Sequence, residues 1–398
     1  MMKIVHTSDW HIGQKLYNNE RYAEHEAFLN WLLDYIRTNQ IDVLLVSGDV
    51  FDTTNPSNRA LEIYYQFIAQ CSRLTSQIIV TGGNHDSIST LNAAQKPLEA
   101  LNVHVIGGAT DKLEDELVLI KDKNGKPAFT VAAVPFLRDR NLKSSVSGES
   151  HEDRIRAIKE GIKGHYDALA TLAEAKQFPA IAMGHLYASG SLTSDSERDI
   201  HIGNLGEISS HQFPSYFDYI ALGHIHKPQK LGGDDQIRYS GSPLPLSFSE
   251  RKDQKQVVLL HFDGKKVSYQ ESVLTPISRQ LILVKGTLNE VIKKLEAFEE
   301  ANDFETWVEV QLLEKSYSAS LVSDFEFFKS NYKKAKILKY KIQFEESIQG
   351  ADELFDEGVD IEDLSPREVF VKKVTDDPNA ELLLGAFDEL MANLEEKE

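Results

Sequence analysis

Short apolar runs rich in valine and isoleucine alternate with longer segments of helical period along the N-terminal part of the chain. Such alternation is typical of an α/β layered unit rather than of a helical bundle or a β-sandwich. The runs that we predict to be strands are residues 3–6, 43–46, 78–80, 180–183 and 219–222. The predicted helices are residues 21–38, 58–72, 90–100 and 151–176.

The pattern changes around Pro276. Before it, alternating segments on either side of Gly264, within residues 255–274, predict a closing β-hairpin. After it, a strand, helix, strand, helix and strand are expected at 280–284, 288–300, 306–312, 320–331 and 336–344, an order that predicts a small α+β domain. An acidic, turn-rich linker at 345–364 then leads to two predicted helices at 365–374 and 379–394. We therefore expect a layered α/β domain at 1–275, an α+β capping domain at 276–345, and a linker with C-terminal helices at 346–398.

Each of the five predicted strands runs directly into a segment with ligand-type side chains. These segments are Asp9-X-His11, Gly48-Asp49, Gly83-Asn84-His85-Asp86, Gly184-His185 and Gly223-His224-X-His226. One such segment is weak evidence, because a single histidine at a strand end is more often a hydrogen-bonded structural residue than a ligand. All five in order predict a site, since layered α/β folds build their sites at the carboxyl ends of the strands. We interpret the glycines before the last four as points where the chain turns sharply so that a short side chain reaches inward.

The residue types in these segments indicate a pair of divalent metal ions. Carboxylate, imidazole and amide oxygen suit manganese, iron or zinc, whereas the single cysteine, Cys71, excludes a thiolate-rich zinc site. Two adjacent metals need a bridging ligand, and Asp49 is the candidate bridge. Asp9, His11 and His226 are expected to complete one ion position, and Asn84, His185 and His224 the other. Such a pair activates a water and neutralises charge on phosphoryl oxygens in an in-line displacement.

His85 is the candidate catalytic residue because it lies next to the ligand Asn84. It can stabilise the transition state or protonate the leaving oxygen. The alternative is a structural histidine that only supports the ligands. Asp52 is expected to orient His85 through a hydrogen bond between its carboxylate and the imidazole.

The net charge of -19 is unusual for an enzyme that acts on nucleic acid. Residues 345–398 contain eighteen acidic and four basic side chains, so the rest of the chain carries only about -5. Basic residues are scattered, and Lys15, Arg59, Arg138, Arg140 and Lys143 are candidate phosphate contacts. We therefore expect weak DNA affinity for the isolated chain.

A chain of 398 residues with 41% hydrophobic composition is long enough for two or three folded units. No apolar stretch reaches the roughly 18 to 20 residues that a membrane span requires. The start, MMKIVHTSDW, lacks the apolar region of a signal peptide. With one cysteine, these features predict a soluble cytoplasmic protein without membrane contact.

The five segments resemble the five-block signature of the calcineurin-like metallophosphoesterases, D-X-H, G-D, G-N-H-D/E, G-H and G-H-X-H. Residues 7–13, 48–52, 83–87 and 239–248 more closely resemble the bacterial DNA repair nucleases of this family. Beyond Pro276 the similarity is looser and rests on domain order and residues 365–370. The archaeal and eukaryotic repair nucleases of the family often have a histidine where this chain has Asp52, which favours an Asp52–His85 pair over a two-histidine mechanism.

The resemblance implies a four-layer α/β sandwich of two mixed sheets flanked by helices, and two divalent ions, manganese first, with magnesium, iron or zinc as alternatives. It also implies double-strand 3'-5' exonuclease and single-strand or hairpin endonuclease activity on DNA in recombination, repair and replication. The implied assembly is a homodimer within a heterotetramer that contains a coiled-coil ATPase.

Two apolar surfaces have alternative interpretations. The helix after Asp49 holds Leu61, Tyr64, Tyr65, Phe67 and Ile68, and the helix after Asp86 holds Leu91, Ala94, Leu98 and Leu101. These side chains either pack on the sheet or, as the resemblance favours, partly form the dimer interface. The stripe of Leu383, Phe387, Leu390, Met391 and Leu394 in the last helix is expected to dock on the coiled coil of the ATPase rather than on its own domain.

Two other functions are alternatives to a nuclease. A free-standing phosphoesterase for nucleotides or phosphoproteins would share the metal ligands but would need neither the domain after Pro276 nor the acidic tail. A scaffold with a degenerate site is disfavoured because no ligand position is lost.

Overall fold

The computed structural model describes residues 1–142, 150–194, 196–197, 200, 208–300, 304–315, 318, 320–344, 384–385 and 387. The chain divides into two compact units. The first contains Met1–Ile282 and Ala301–Trp307, and the second contains Leu283–Glu300 and Val308–Glu398.

Seventeen strands are found among the described residues. In chain order they are β1 (Met2–Thr7), β2 (Lys15–Leu16), β3 (Asn19–Glu20), β4 (Val43–Ser47), β5 (Gln77–Thr81), β6 (Val103–Ile106), β7 (Leu117–Lys121), β8 (Pro127–Ala133), β9 (Ala180–His185), β10 (Phe217–Gly223), β11 (Gln229–Lys230), β12 (Ile237–Tyr239), β13 (Gln256–Phe262), β14 (Val267–Leu274), β15 (Leu281–Gly286), β16 (Trp307–Glu314) and β17 (Lys336–Phe344). The α-helices are α1 (Tyr22–Asn39), α2 (Asn58–Cys71), α3 (Ile88–Asn92), α4 (Gln95–Glu99), α5 (Asp139–Leu142), α6 (His151–Lys176), α7 (Leu288–Glu296) and α8 (Leu321–Asn331).

The first unit contains two six-stranded mixed sheets, which confirms the predicted fold class. Their strand orders are β14-β13-β1-β4-β5-β6 and β11-β12-β10-β9-β8-β7. The neighbours β1, β4, β5 and β6 are parallel, whereas β13 is antiparallel to β1. In the other sheet β8, β9, β10 and β12 are parallel, and β7 is antiparallel to β8.

Strand β4 shows how the sequence produces four layers. Successive side chains of a strand point to opposite faces, and every residue of β4 is buried. Val43 and Leu45 join a core cluster that contains residues of both sheets. Leu44 and Val46 join a different cluster that includes residues of α1 and α2. A third cluster joins the second sheet to α6, so each sheet has one face toward the other sheet and one toward helices.

Most sequence-predicted elements of the first unit agree with the structure to within one or two residues. Four short strands that were not predicted, β2, β3, β11 and β12, are exceptions, and the others concern the stretch between Asp86 and α6. The helix predicted at 90–100 is two short helices, α3 and α4. Strands β6, β7 and β8 were not predicted, and the five predicted strands are divided between the two sheets, with β1, β4 and β5 in one and β9 and β10 in the other.

The second unit contains most of a three-stranded sheet in the order β15-β16-β17, together with α7 and α8. Helix α7 begins with a capping box in which Thr287 and Glu290 satisfy each other's backbone N–H groups. Val291, Leu295 and Phe325 are the fully buried side chains of the two helices. The strand, helix, strand, helix and strand order predicted from the sequence is therefore confirmed, whereas the three domain boundaries stay predictions.

The described part of the chain has no helix long and apolar enough to span a bilayer. The predicted C-terminal linker, the two predicted helices and the apolar stripe of the second lie outside the described residues, except for Leu384, Gly385 and Phe387.

Candidate metal centre

The carboxyl ends of β1, β4, β5, β9 and β10 bring the seven predicted ligands together. Strands β1, β4 and β5 are consecutive neighbours in one sheet, and β9 and β10 are neighbours in the other. Among the described residues, three groups of possible ligand atoms have their atoms within 4.8 Å of one another, and two of these groups consist of predicted ligands alone. One contains Asp9, His11 and His226, and the other contains Asp49, His185 and His224. All six side chains are buried.

Asp9 is held by contacts on both carboxylate oxygens. Its Oδ2 accepts a hydrogen bond of 2.5 Å from Ser8 Oγ, and its Oδ1 accepts one of 2.9 Å from the backbone N–H of His224. The imidazole of His11 lies edge-on to that of His226, with ring centroids 5.0 Å apart. The first group is therefore a compact set of one carboxylate and two imidazoles.

Asn84 lies with the second group. Its Oδ1 is 2.9 Å from Nε2 of His185 and 3.1 Å from Nδ1 of His224. Asn84 is half-buried, whereas both histidines are buried. The structure thus brings Asn84 to the place that the sequence predicted for it, next to His185 and His224.

Asp49 lies between the two groups. Its Oδ2 is 3.3 Å from Nε2 of His185 and 3.5 Å from Nε2 of His11. Its Oδ1 accepts a hydrogen bond of 2.9 Å from the backbone N–H of His85. This placement is the one that a carboxylate shared by two ions requires.

The hydrogen-bonding atoms of the centre fit a bound cation. Nδ1 of His185 lies 2.9 Å from the carbonyl O of Ser47, which can only accept, so Nδ1 carries the proton. In the neutral ring of a metal ligand, Nε2 then directs its lone pair toward the oxygens of Asn84 and Asp49, and a cation can bind all three acceptors. Nε2 of His224 is buried and has no hydrogen-bond partner among the described residues. The residues present therefore fit divalent metal ions.

The electrostatics agree with this interpretation. Burial alone would lower the pKa of His11, but the carboxylates of Asp52 and Asp49 raise it to about 9. Burial also opposes the charged form of His185, and Asp49 and Asp9 raise its pKa to about 9. Burial raises the pKa of Asp9, whereas His185 and His11 hold that of Asp49 well below its usual range despite burial. The centre thus concentrates negative charge that a cation stabilises.

Four of the ligand residues have left-handed backbone conformations. The φ angles are 53° for Asp9, 46° for His11, 48° for Asp49 and 98° for His224. Such angles are uncommon outside glycine and cost about 1 to 3 kcal/mol each, so they persist only where the surroundings impose them. Strain of this kind concentrates at functional sites.

The glycines before the ligands act mainly through close approach, which corrects the turn interpretation. We expected a sharp turn at all four, but Gly184 and Gly223 lie within strands β9 and β10, and only Gly48 of the four has a positive φ, 82°. A Cβ on Gly83 would lie 2.1 Å from Oδ1 of Asp49, and one on Gly223 would lie 1.9 Å from the carbonyl O of Ser47. A Cβ on Gly184 would lie 2.1 Å from the hydroxyl of Tyr166. These three positions lack a side chain because neighbouring groups occupy the space.

His85 and Asp52 both lie next to the centre, and a main-chain contact joins them. Nδ1 of His85 is 2.7 Å from the backbone carbonyl O of Asp52. The carboxylate of Asp52 is 3.3 Å from Nδ1 of His11. Ligand atoms of His11, Asp52 and His85 nevertheless lie within 4.8 Å of one another. Asp52 thus contacts His85 through its main chain and His11 through its carboxylate, and the predicted hydrogen bond between that carboxylate and the imidazole of His85 stays a prediction.

Asp86 is a structural contributor that the sequence interpretation did not assign a role. Its buried carboxylate accepts hydrogen bonds from the backbone N–H groups of Gly83, Val50 and Phe51. It therefore ties the loop after β5 to the loop after β4. Burial, with repulsion from Asp49, raises the pKa of Asp86 to about 6. The position of Asp86 at the end of the Gly-Asn-His-Asp block is the sequence signal that could have indicated this role.

The candidate DNA-contacting basic residues are dispersed. Arg59 pairs with Glu26 and Glu62, and Lys15 lies 3.4 Å from Glu20. Arg138 is the one shown near the centre, with a guanidinium nitrogen 3.4 Å from the backbone O of Asp86. Arg140 is in α5, and Lys143 lies outside the described residues.

Comparison with known proteins identifies the class that this fold and centre define. The family profile described as calcineurin-like phosphoesterase matches residues 2–228, so the chain belongs to this family. A second profile, described as a type 5 capsule protein repressor C-terminal domain, matches residues 278–377.

Within the family, the chain is similar to proteins named as the SbcD component of the nuclease SbcCD. The one from Escherichia coli strain K12 is 36% identical over 321 residues, which is 79% of this chain and 79% of that protein. The one from Rhodobacter capsulatus is 38% identical over 308 residues, or 74% of this chain and 75% of that protein. The one from Bacillus subtilis is 31% identical over 323 residues, or 78% and 79%. These similarities confirm the predicted enzyme class, a metal-dependent nuclease.

Proposed function

We propose that this chain hydrolyses DNA phosphodiester bonds with two divalent ions, manganese first among them, held by the seven predicted ligands. Asp9, His11 and His226 hold one ion. Asn84, His185 and His224 hold the other. Asp49 bridges them, and its position between the two histidine-containing groups is the single observation that carries the proposal.

When bound, the metal pair supplies an activated water and neutralises charge on the phosphoryl oxygens. The protein itself positions the loop that carries His85 and determines which nitrogen of His85 carries the proton. Asp49 and Asp86 fix the loop that carries His85, since Asp49 accepts from the backbone N–H of His85 and Asp86 accepts from that of Gly83. The main-chain carbonyl O of Asp52 accepts a hydrogen bond from Nδ1–H of His85, which keeps the proton on that nitrogen. Nε2 of His85 is then the atom that interacts with the phosphate or exchanges a proton with the leaving oxygen.

The proposed substrates are DNA ends and hairpins, cut by double-strand 3'-5' exonuclease and single-strand endonuclease activity. The relatives named as part of the nuclease SbcCD support this choice. Their name also supports an SbcC-type coiled-coil ATPase as partner, with the acidic tail as its docking segment. That the assembly is a heterotetramer built on a homodimer, and that it acts in the cytoplasm, are further parts of the proposal.

The surface available for the proposed dimer contact is smaller than the sequence alone indicated. Tyr64, Phe67 and Ile68 of α2 are buried in the core of the first unit, as are Leu91 and Leu98. Leu61, Tyr65 and Ala94 are half-buried, and Leu101 is 46% exposed. These last four are the residues we propose for the contact with a second copy.

The free-standing phosphoesterase is not favoured. The named relatives match this chain over 74% to 79% of its length, including part of the region after Pro276. The second family profile also lies in that region. A phosphatase for small substrates has no evident use for it.

A nuclease assay on a DNA hairpin, with the SbcC-type partner present, tests the proposal. Cleavage is expected with Mn²⁺, less with Mg²⁺, and none with a chelator. Asp49→Ala is expected to abolish cleavage, because it removes the carboxylate common to both ion positions. Asp34→Ala is the matched control, since Asp34 is 71% exposed and pairs only with Arg37 among the described residues. Cleavage that survives the chelator, or Asp49→Ala, would contradict the proposal.

A further inference from the structure

A buried ion pair lies behind the candidate metal centre. Nζ of Lys255 is 2.5 Å from Oε2 of Glu250, and neither side chain is more than 1% exposed. Lys255 also donates to the backbone O of His226 at 2.9 Å. Burying two charges is expensive, and a buried pair is weak evidence for stability. A positional role for these residues is the better explanation.

The other oxygen of Glu250 faces the ring of His226. Oε1 is 3.4 Å from Nδ1 of His226 and accepts hydrogen bonds from the hydroxyls of Ser194 and Ser196. Oγ of Ser196 is 2.7 Å from the same Nδ1. Ser196 therefore lies between the imidazole and the carboxylate.

The order of the hydrogen bonds fixes the direction of each proton. An ionised carboxylate only accepts, so the single hydroxyl proton of Ser196 points to Glu250. The oxygen of Ser196 then accepts from Nδ1–H of His226. In a neutral imidazole this leaves the lone pair on Nε2.

The main chain of His226 is held at the same time. Its N–H donates to Oε1 of Glu197 at 2.8 Å. Its carbonyl O accepts from the backbone N–H of Ser242 at 3.1 Å, in addition to Lys255. The ring and the backbone are therefore both anchored to residues outside the five metal-binding segments.

We infer that Ser196 and Glu250 are positioning residues that hold His226 with its Nε2 free, and that they set the affinity of one of the two ion positions. The inference rests on the proposed function, because His226 is assigned there as a ligand. It gives a role to the segment from Ser240 to Lys255, part of which carries the family resemblance without any assigned chemistry. His185 is oriented similarly, but by a backbone carbonyl, that of Ser47.

The expected effect is selective. Removing a hydrogen-bond partner of a metal-binding histidine typically costs 10-fold to 100-fold in affinity. Ser196→Ala is therefore expected to weaken one of two Mn²⁺ positions by about 10-fold and to leave the other unchanged. Ser194→Ala is the matched control. Both serines are half-buried and lie within hydrogen-bond distance of Oε1 of Glu250 and of each other, but only Ser196 contacts the ring of His226.

Calorimetric titration of the metal-free full chain with Mn²⁺ measures both affinities. Nitrogen NMR of the histidine rings in the metal-free chain gives an independent readout, because it reports which nitrogen carries the proton. Wild type and Ser194→Ala are expected to show His226 protonated at Nδ1 and two Mn²⁺ positions. Ser196→Ala is expected to show a mixture of tautomers and one weakened position. Glu250→Gln keeps the size of the side chain and serves as a second variant, expected to weaken the same position.

The outcomes separate this inference from the proposed function. If wild type binds fewer than two Mn²⁺ ions at the centre, the proposed function fails. If wild type binds two and Ser196→Ala binds both with wild-type affinity, only the positioning role fails. Equal weakening by Ser194→Ala and Ser196→Ala would also overturn it, since that result indicates general loosening rather than loss of the bond to His226. Should Glu250→Gln not fold, the two serine variants decide the question.

Discussion

Gly83→Ala perturbs the centre without removing any ligand. A Cβ at this position would lie 2.4 Å from the backbone N of Asp49 and 2.1 Å from its Oδ1, whereas ordinary contacts begin near 3.4 Å. The carboxylate can rotate away, but the backbone N cannot. The loops after β4 and β5 must therefore separate by about 1 Å, which is the scale of misplacement that costs about 100-fold in rate. Overpacking of this kind also costs about 1 to 3 kcal/mol in stability.

Steady-state hydrolysis of a small phosphate diester with Mn²⁺ measures the rate, and circular dichroism checks that the variant is folded. Gly164→Ala is the matched control, because a Cβ there meets nothing within 4 Å. It lies within α6, where alanine in place of glycine is expected to stabilise the helix by about 1 kcal/mol. The expected result is a loss of about 100-fold for Gly83→Ala and wild-type activity for Gly164→Ala. A folded Gly83→Ala variant with more than half of the wild-type rate would refute the argument that Asp49 must be held where it is.

Three further predictions concern pH, loop anchoring and metal removal. Burial lowers the pKa of His6 to about 3, so between about pH 6.5 and 3 the unfolded chain binds a proton that the folded chain does not, and stability falls as the pH falls. The stability advantage of wild type over His6→Gln, measured by chemical denaturation, should shrink by about 2 kcal/mol between about pH 7.5 and 5, and a constant difference would contradict this. Asp86→Asn replaces an acceptor of three backbone N–H bonds with an amide, so we expect a destabilisation of about 2 kcal/mol with a marked loss of diesterase activity, and unchanged activity would show that the loops do not need this anchor. Adding Mn²⁺ at about 100 times its dissociation constant should stabilise the metal-free protein by about 2.7 kcal/mol for each ion position, and an unchanged melting temperature would argue against a built metal site.

The strand ends were predictable because the signal is local. The apolar run at Val43–Ser47 predicts a buried strand, and the polar residues that follow this strand must lie at the edge of the sheet. The same logic placed Asp9 and His224 correctly at the carboxyl ends of β1 and β10. Strands β7 and β8 were missed because their apolar runs lead into no ligand-type residues.

The supporting contacts could not be predicted, because they join residues distant in the sequence. Ser8 bonds Ser240, 232 positions away, and Ser196 bonds Glu250, 54 positions away. No periodicity or spacing rule links such pairs. The left-handed backbone conformation of His224 also could not be predicted from the sequence, because the packing of the folded chain imposes it rather than the residue type.

The central claim is that the seven side chains surround a pair of cations. A crystal of the wild-type chain soaked in Mn²⁺ and measured at the manganese absorption edge tests it directly. We expect two anomalous peaks, about 3.5 to 4 Å apart, with the carboxylate of Asp49 between them. A single peak elsewhere, no peak at all, or ligands turned away from the peaks would contradict it.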